Sequence, residues 1–156
     1  MSLENVMSIA ASGMTAQSVR LNTVASNLAN SDTISGTEQG AYRAKAPQFQ
    51  TVYANALNVG QSTSAGSPGW ITDAGMDGSS LGVGVQSIVD SSEPIRKQYR
   101  PDNPLADKDG FVYLSNVNSM DEMANMIDAS REYQMNVEMM NTSKNLIMKL
   151  LSSTES

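Results

Sequence analysis

The 156-residue chain contains no cysteine and no histidine. The first absence excludes disulfides, iron–sulfur clusters and thiol nucleophiles. The second removes both the commonest general base and the commonest metal ligand. No run approaches the roughly 20 apolar residues that cross a bilayer, and no basic tract exists to hold a nucleic acid. The net charge is −6: residues 1–30 are neutral, and residues 31–118 and 119–156 each carry −3. A cleavable secretory signal is not expected, because Glu4 stands where an early Lys or Arg belongs and Ser8, Ser12 and Gly13 interrupt the apolar residues around them. The chain is therefore expected either to stay in the cytoplasm or to leave it by a route that reads no such peptide.

Proline is missing from the two ends and glycine nearly so. All five prolines and ten of the eleven glycines lie between Ser31 and Asn118, whereas the ends are rich in Ala, Leu and Met. This divides the chain into an N-terminal helix (residues 1–31), a β-containing middle (32–118) with a flexible insertion near 56–81, and a C-terminal helix (119–156). The expected fold is mainly α with a small, Gly-rich β element, the two long helices pairing as a coiled coil.

The helices declare themselves by period. Leu3, Met7, Ala10, Met14, Gln17, Leu21, Val24 and Leu28 recur at alternating steps of four and three, seven of the eight apolar. In the C-terminal stretch Met123, Met126, Ser130, Tyr133, Val137, Met140, Lys144, Ile147 and Leu151 form a second such seam. At about 1.5 Å per residue the helices would be roughly 43 and 50 Å long. A further row, Met120, Ile127, Met139, Leu146 and Leu150, widens the apolar surface of the C-terminal helix beyond what one neighbour covers. Ser119 and Glu122 read as a capping box at its start. Gln17, Ser130 and Lys144 are polar seam positions, either tolerated defects or residues that specify alignment. Ala11, Ser12, Gly13, Ala16, Ala25, Ser26 and Ala29 give the first helix a small-residue face, suited to exposure or to close lateral packing. Asn22 and Asn27 are weak helix formers, expected to bond between helices or to be simply exposed; Asn30, Ser31 and Asp32 can stop the helix.

In the middle, Tyr42 to Tyr53 reads as an extended arm or edge strand interrupted by Pro47. Val83 to Val89 alternates as a half-buried strand, and after a turn at Ser91 to Pro94 the stretch Ile95 to Tyr99 is a returning strand. Phe111 to Leu114 is a third. Trp70, inside the insertion, is the plug of a small core or a contact anchor.

No constellation carries chemistry. Asp107, Asp109 and Gly110 suggest a calcium loop, but with Gly110 at its sixth position the first falls on Leu105 and the twelfth on Asn116, so the leading carboxylate and the bidentate Glu are absent. A turn into the Phe111 strand is expected instead. There is no phosphate-binding glycine loop, nucleophile elbow or metal-ligand cluster, so no enzyme, cofactor or metal is expected. Seven of the eleven methionines follow Asn118, which fits either core filling or an adaptable binding surface.

Ser18 to Thr33 resembles the N-terminal motif of the axial proteins of the bacterial flagellum, with Asn22, Ser26, Asn27, Leu28, Ala29 and Asn30 matching it and Tyr42 to Lys45 fitting the continuation. Tyr99, Pro101, Asn103, Pro104, Ala106, Asp107, Gly110, Asn116, Val117, Asn118 and the stretch from Glu122 to Leu151 look like the FlgC family of proximal rod proteins. Family members commonly have Tyr at Phe111 and Pro at Ser115, and the region from Ala56 to Leu81 has no clear counterpart in them. The resemblance implies a structural subunit of the flagellar basal-body rod, exported unfolded by the type III apparatus. It implies assembly in the periplasm with its own copies, other rod proteins, the membrane-ring protein and the ring–rod adaptor. The terminal helices would form an inner domain packed around the export channel. Another rod protein, or a soluble adaptor that closes into a helical bundle, shares the same seams.

Overall fold

A computed structural model describes residues 3–53 and 80–154; Trp70 and most of the expected insertion lie outside this range. Helix α1 spans Leu3–Ala29 and helix α2 spans Ser119–Thr154. Between them come β1 (Ile34–Ser35), β2 (Lys45–Tyr53), β3 (Ser80–Asp90), β4 (Arg96–Tyr99) and β5 (Phe111–Leu114). The fold is thus two long helices and a small antiparallel β region.

The start of α2 departs from the expected cap by one residue. Asn118, not Ser119, is the N-cap: its Oδ1 accepts from the Met120 amide at 3.1 Å, and its Nδ2 donates to the Asp121 carboxylate at 2.6 Å. Asn-x-x-Asp and Ser-x-x-Glu overlap here, and the Asn side chain takes the orphan amide of the first turn. At the end of α1, Ser31 turns back, its amide and hydroxyl both donating to the Leu28 carbonyl.

Strand pairing also differs from the local hairpin expected of β3 and β4. Instead β2 and β3 form an antiparallel ribbon, Lys45 opposite Asp90 and Val52 opposite Gly82, with register shifts after Gln48 and Val52. Pro47 is tolerated because both strands of a two-stranded sheet are edges. Strand β4 pairs with β5, whose other edge carries the two residues of β1, too short to show a period.

The ribbon lies on α1. Ser12 accepts from the Val83 amide at 3.1 Å while donating to the Ile9 carbonyl at 2.8 Å. This contact requires Gly82, whose φ of +147° disfavours any side chain and whose Cβ would sit 2.1 Å from the Ser12 hydroxyl.

The buried apolar residues are Ala10, Ala16, Val24, Ala41, Ile95, Val112, Val117 and Ala129. Among the described residues none of these is a Met, Leu or aromatic residue, so the large side chains of the two helices are at best half-buried. Cohesion at the base of the helices is instead polar. Asn116 accepts from the Ala44 amide at 2.7 Å and donates to the Glu93 carbonyl at 3.0 Å. Arg96 donates to the Ser115 and Val117 carbonyls, and Arg43 to those of Ser91 and Glu93. These side chains satisfy backbone groups where irregular segments cross and no ladder can.

Replacing Gly82 by Ala should cost about 1–3 kcal/mol, through backbone strain and loss of the Ser12 contact. Urea unfolding measures the cost, and hydrogen exchange at the Val83 amide should rise with it. An unchanged exchange rate would show that the Ser12 contact does not hold the ribbon.

Candidate assembly surface

The Asn-rich end of α1 is a joint. Asn27 is 1 % exposed and all its polar atoms are used: Nδ2 donates to the Lys45 carbonyl at 2.8 Å, and Oδ1 accepts from the Lys45 amide at 2.9 Å and the Tyr42 hydroxyl at 3.0 Å. Its bonds therefore go to the start of β2 and not to another helix. The Ser26 hydroxyl lies 3.2 Å from the same tyrosine oxygen. Asn30 closes the last turn, donating through Nδ2 to the Ser26 carbonyl at 2.8 Å. Leu28 is half-buried, while Asn22 and Ala29 are exposed. The motif thus combines a helix stop, a link to β2 and an open outer face.

The two helices pack antiparallel. A Cβ at Gly13 would meet the Asn136 side chain at 2.9 Å, Gln17 Nε2 donates to Glu132 Oε2, and Arg20 Nη2 donates to Asn125 Oδ1 at 3.4 Å. Arg20 Nη1 also stands 3.7 Å from Glu132 Oε2. The contact line runs through Ala10, Gly13, Gln17, Arg20 and Val24 against Asn125, Ala129, Glu132, Asn136 and Ser143. On α2 this line lies about one residue to the side of the most apolar seam. Met7, Met14 and Leu21 are half-buried and Val24 is buried; Leu3 opens the helix, its side chain lying outside the description. On α2, Met126, Val137, Met140 and Ile147 are half-buried, whereas Met123, Tyr133 and Leu151 are exposed. Of the polar seam positions, Gln17 is engaged with α2 and Lys144 is exposed.

Much of the apolar surface of α2 is uncovered. Met120, Ile127, Met139, Leu146 and Leu150, together with Met135 and Met148, are between 47 and 75 % exposed. Met135, Met139, Leu146 and Leu150 make a continuous flank on the C-terminal half, and Met120, Met123 and Ile127 make another near the start. Met120, Ile127, Met139, Leu146 and Leu150 are legible in the sequence as a separate row and Met123 as part of the main seam; Met135 is hidden there by its polar neighbours Gln134 and Asn136.

A second exposed group surrounds the turn before β5. Asp107 accepts from the Phe111 amide at 2.8 Å and the Asp109 amide at 3.0 Å, and the Phe111 bond is the main reason its carboxyl titrates below the ordinary carboxylate value. Gly110, at φ +80°, passes under Tyr99, whose ring packs edge-on against Phe111 with centroids 5.4 Å apart. This is a structural turn, as the failed calcium spacing implied. Among the described residues no His, Cys, Asp and Glu side chains gather as a metal site, and no helix is long and apolar enough to cross a membrane. An open groove beside β2, about 300 Å³, is lined by Arg20, Val24, Lys45, Ala46, Pro47, Phe49, Glu122 and Asn125.

Comparison with known proteins accounts for both helices. Residues 7–34 match the family model described as flagella basal body rod protein. Residues 108–153 match the C-terminal model of the flagellar basal body rod FlgEFG proteins. The joint and the helix pair are thus those of a flagellar basal-body rod protein. Among curated relatives, the flagellar basal-body rod protein FlgC of Yersinia enterocolitica is 43 % identical over 97 % of this chain and 98 % of its own length. FlgC of Salmonella typhimurium is 41 % identical over the same shares, and FlgC of Buchnera aphidicola (subsp. Acyrthosiphon pisum) is 36 % identical over 99 % of this chain and its own full length. The chain belongs to the FlgC family.

Asn27→Ala removes three hydrogen bonds and strands the Lys45 backbone, so it should cost roughly 2–3 kcal/mol, while Asn22→Ala should stay within about 0.5 kcal/mol. Chemical denaturation of the two variants makes the comparison; equal effects would remove the joint from Asn27.

Proposed function

We propose that the chain is a structural subunit of the flagellar proximal rod that polymerises through its terminal helices into a hollow drive shaft, transmitting torque and enclosing the export channel. The observation that carries this reading is the broad Met- and Leu-rich surface of α2, left bare by α1 in a member of a rod-protein family. Burying a side chain of this kind is worth about 1.5–3 kcal/mol, so the two flanks offer far more association energy than α1 collects. A heterologous contact whose rotation does not close generates a helical tube.

In this reading residues 1–31 and 119–156 are the inner helical domain, pairing as a coiled coil, and residues 32–118 are the outer, β-containing part. The assembly residues are Leu3, Met7, Met14, Leu21, Val24 and Leu28 on α1 and Met123, Met126, Tyr133, Val137, Met140, Ile147 and Leu151 on α2. Met135, Met139, Leu146 and Leu150 are added to them by their exposure. Within the motif Asn22, Ser26, Asn27, Leu28, Ala29 and Asn30, Asn27 with Ser26 joins the inner helix to the outer part, Asn30 closes the helix, and Asn22 and Ala29 face outward. Type III export would deliver the chain to the periplasm, where the other rod proteins, the membrane-ring protein and the ring–rod adaptor are its neighbours. The chain is assigned no catalytic role, cofactor or metal.

Met139→Asp and Leu146→Asp should leave export and the helical content of the purified chain unchanged while abolishing its recovery in basal bodies and motility in soft agar. Motile cells carrying both changes would remove α2's flank from the assembly. Sedimentation adds a second check: the isolated wild-type chain should be monomeric, and a discrete closed dimer or tetramer would favour the adaptor alternative.

A further inference from the structure

The polar cluster between the helices sits on a line less apolar than its neighbours. Rotating α2 about its axis by one residue step would bring Met135 and Arg131, or Val137 and Tyr133, towards α1 in place of Asn136 and Glu132. Apolar burial alone favours the second of these rotations. The close approach around Gly13 and Ala129 resists it sterically, and Gln17, Arg20 and Glu132 oppose it through their polar groups. Gln17 Nε2 and Arg20 both address Glu132 Oε2, Arg20 also reaches Asn125, and the Gln17 amide oxygen is buried without a hydrogen-bond partner. With Arg20 and Glu132 side chains 26 and 43 % exposed, their ion pair contributes little stability. The cluster acts through what its loss would leave: turned one way, Gln17 and Arg20 would meet Arg131, which accepts a hydrogen bond from neither, and turned the other they would meet Tyr133, leaving Arg20 without its carboxylate.

We propose that Gln17, Arg20 and Glu132 select the facet of α2 that α1 covers, and thereby keep the Met- and Leu-rich flanks free for a neighbouring subunit. They are positioning residues: they touch each other and not the neighbour. Only the last of the readouts below rests on the assembly reading; the others concern one chain.

The natural absence of cysteine makes the test direct. Gly13→Cys is combined in turn with Met135→Cys, Asn136→Cys or Val137→Cys, three consecutive positions that sample three rotations of α2. Each pair is oxidised in the full chain, both purified and in isolated basal bodies, and intrachain links are scored by gel mobility. In the native background the link to position 136 should exceed either of the others by about tenfold, the ratio that one unsatisfied buried group gives. In the Gln17→Leu/Glu132→Leu background the links to 135 or 137 should rise to at least equal it, without loss of helical circular dichroism, since apolar replacement of such a pair is commonly neutral or stabilising. Gln17→Glu alone, which sets two carboxylates together, should also release the facet, and Gln17→Glu/Glu132→Gln, which exchanges donor and acceptor, should restore it. The proposal is overturned if position 136 is not favoured in the native background, or if it remains favoured after both Gln17→Leu/Glu132→Leu and Gln17→Glu. Should the links switch as expected while basal bodies and motility stay normal, facet selection stands and the assembly reading of the flanks falls.

Discussion

Close approach of α1 to α2 is the constraint from which the rest of the molecule follows. Where a Cβ at Gly13 would already touch Asn136, the contact line admits only small or flat groups, and Ala10, Ala129 and Ser143 fill it. Burial is worth about 0.8 kcal/mol per methylene, so an interface of alanines and serines gathers little. The residues that would gather more are displaced to the flanks of α2. A helix pair built this way is poorly supported along most of its length and well supplied with surface for others, which is an unusual distribution for a self-sufficient domain and a natural one for a polymer subunit.

What the helix interface lacks in apolar burial is offset at its base. There the end of α1, the start of β2 and the segments entering and leaving the β5 sheet cross without regular ladders. Asn27, Asn116, Arg43 and Arg96 each satisfy two or more backbone groups in that crossing. Polar knots of this kind specify geometry strictly, because a shift by one residue leaves several buried groups unpaired. The knot aims both helices in one direction, and the Asn118 cap fixes where α2 begins. Cohesion is concentrated at one end, and the apolar flanks extend away from it.

Helix position and length were legible because periodicity over some thirty residues is a strong signal, and the strand at Phe111–Leu114 emerged with its stated bounds. The contact line was less legible for a physical reason. Hydrophobic period identifies which faces of a helix are apolar, not which of several partners each face meets. In α2 the most apolar seam lies beside the row that meets α1, and Ala129, Glu132, Asn136 and Ser143 give no apolar signal at all. The cap was displaced because Asn118 and Ser119 are both good N-caps with an acidic residue three positions on. The pairing of β2 with β3 was hidden by sequence distance, a local return from β3 to β4 being the simpler expectation. Asn27 looked like an interhelical residue because nothing local shows that the Lys45 backbone returns to it.

The charge distribution supplies a last step. Helix α1 carries only Glu4 and Arg20, and Arg20 is turned inward to Glu132 and Asn125. From Ser18 to Ala29 the outer face of α1, with Ser18, Asn22, Ala25 and Ala29 exposed, therefore carries no charge. Helix α2 differs: Asp128, Arg131, Glu138 and Lys149 are all exposed, beside and between its apolar flanks. Covering the α1 face from Ser18 to Ala29 desolvates no ion, whereas a neighbour that covered the charges of α2 together with its flanks would remove four from water at a cost that pairing seldom recovers. In the proposed shaft neighbours would therefore pack against the neutral face of α1 and the apolar flanks of α2, with those charges kept at the rim of the contact, towards water.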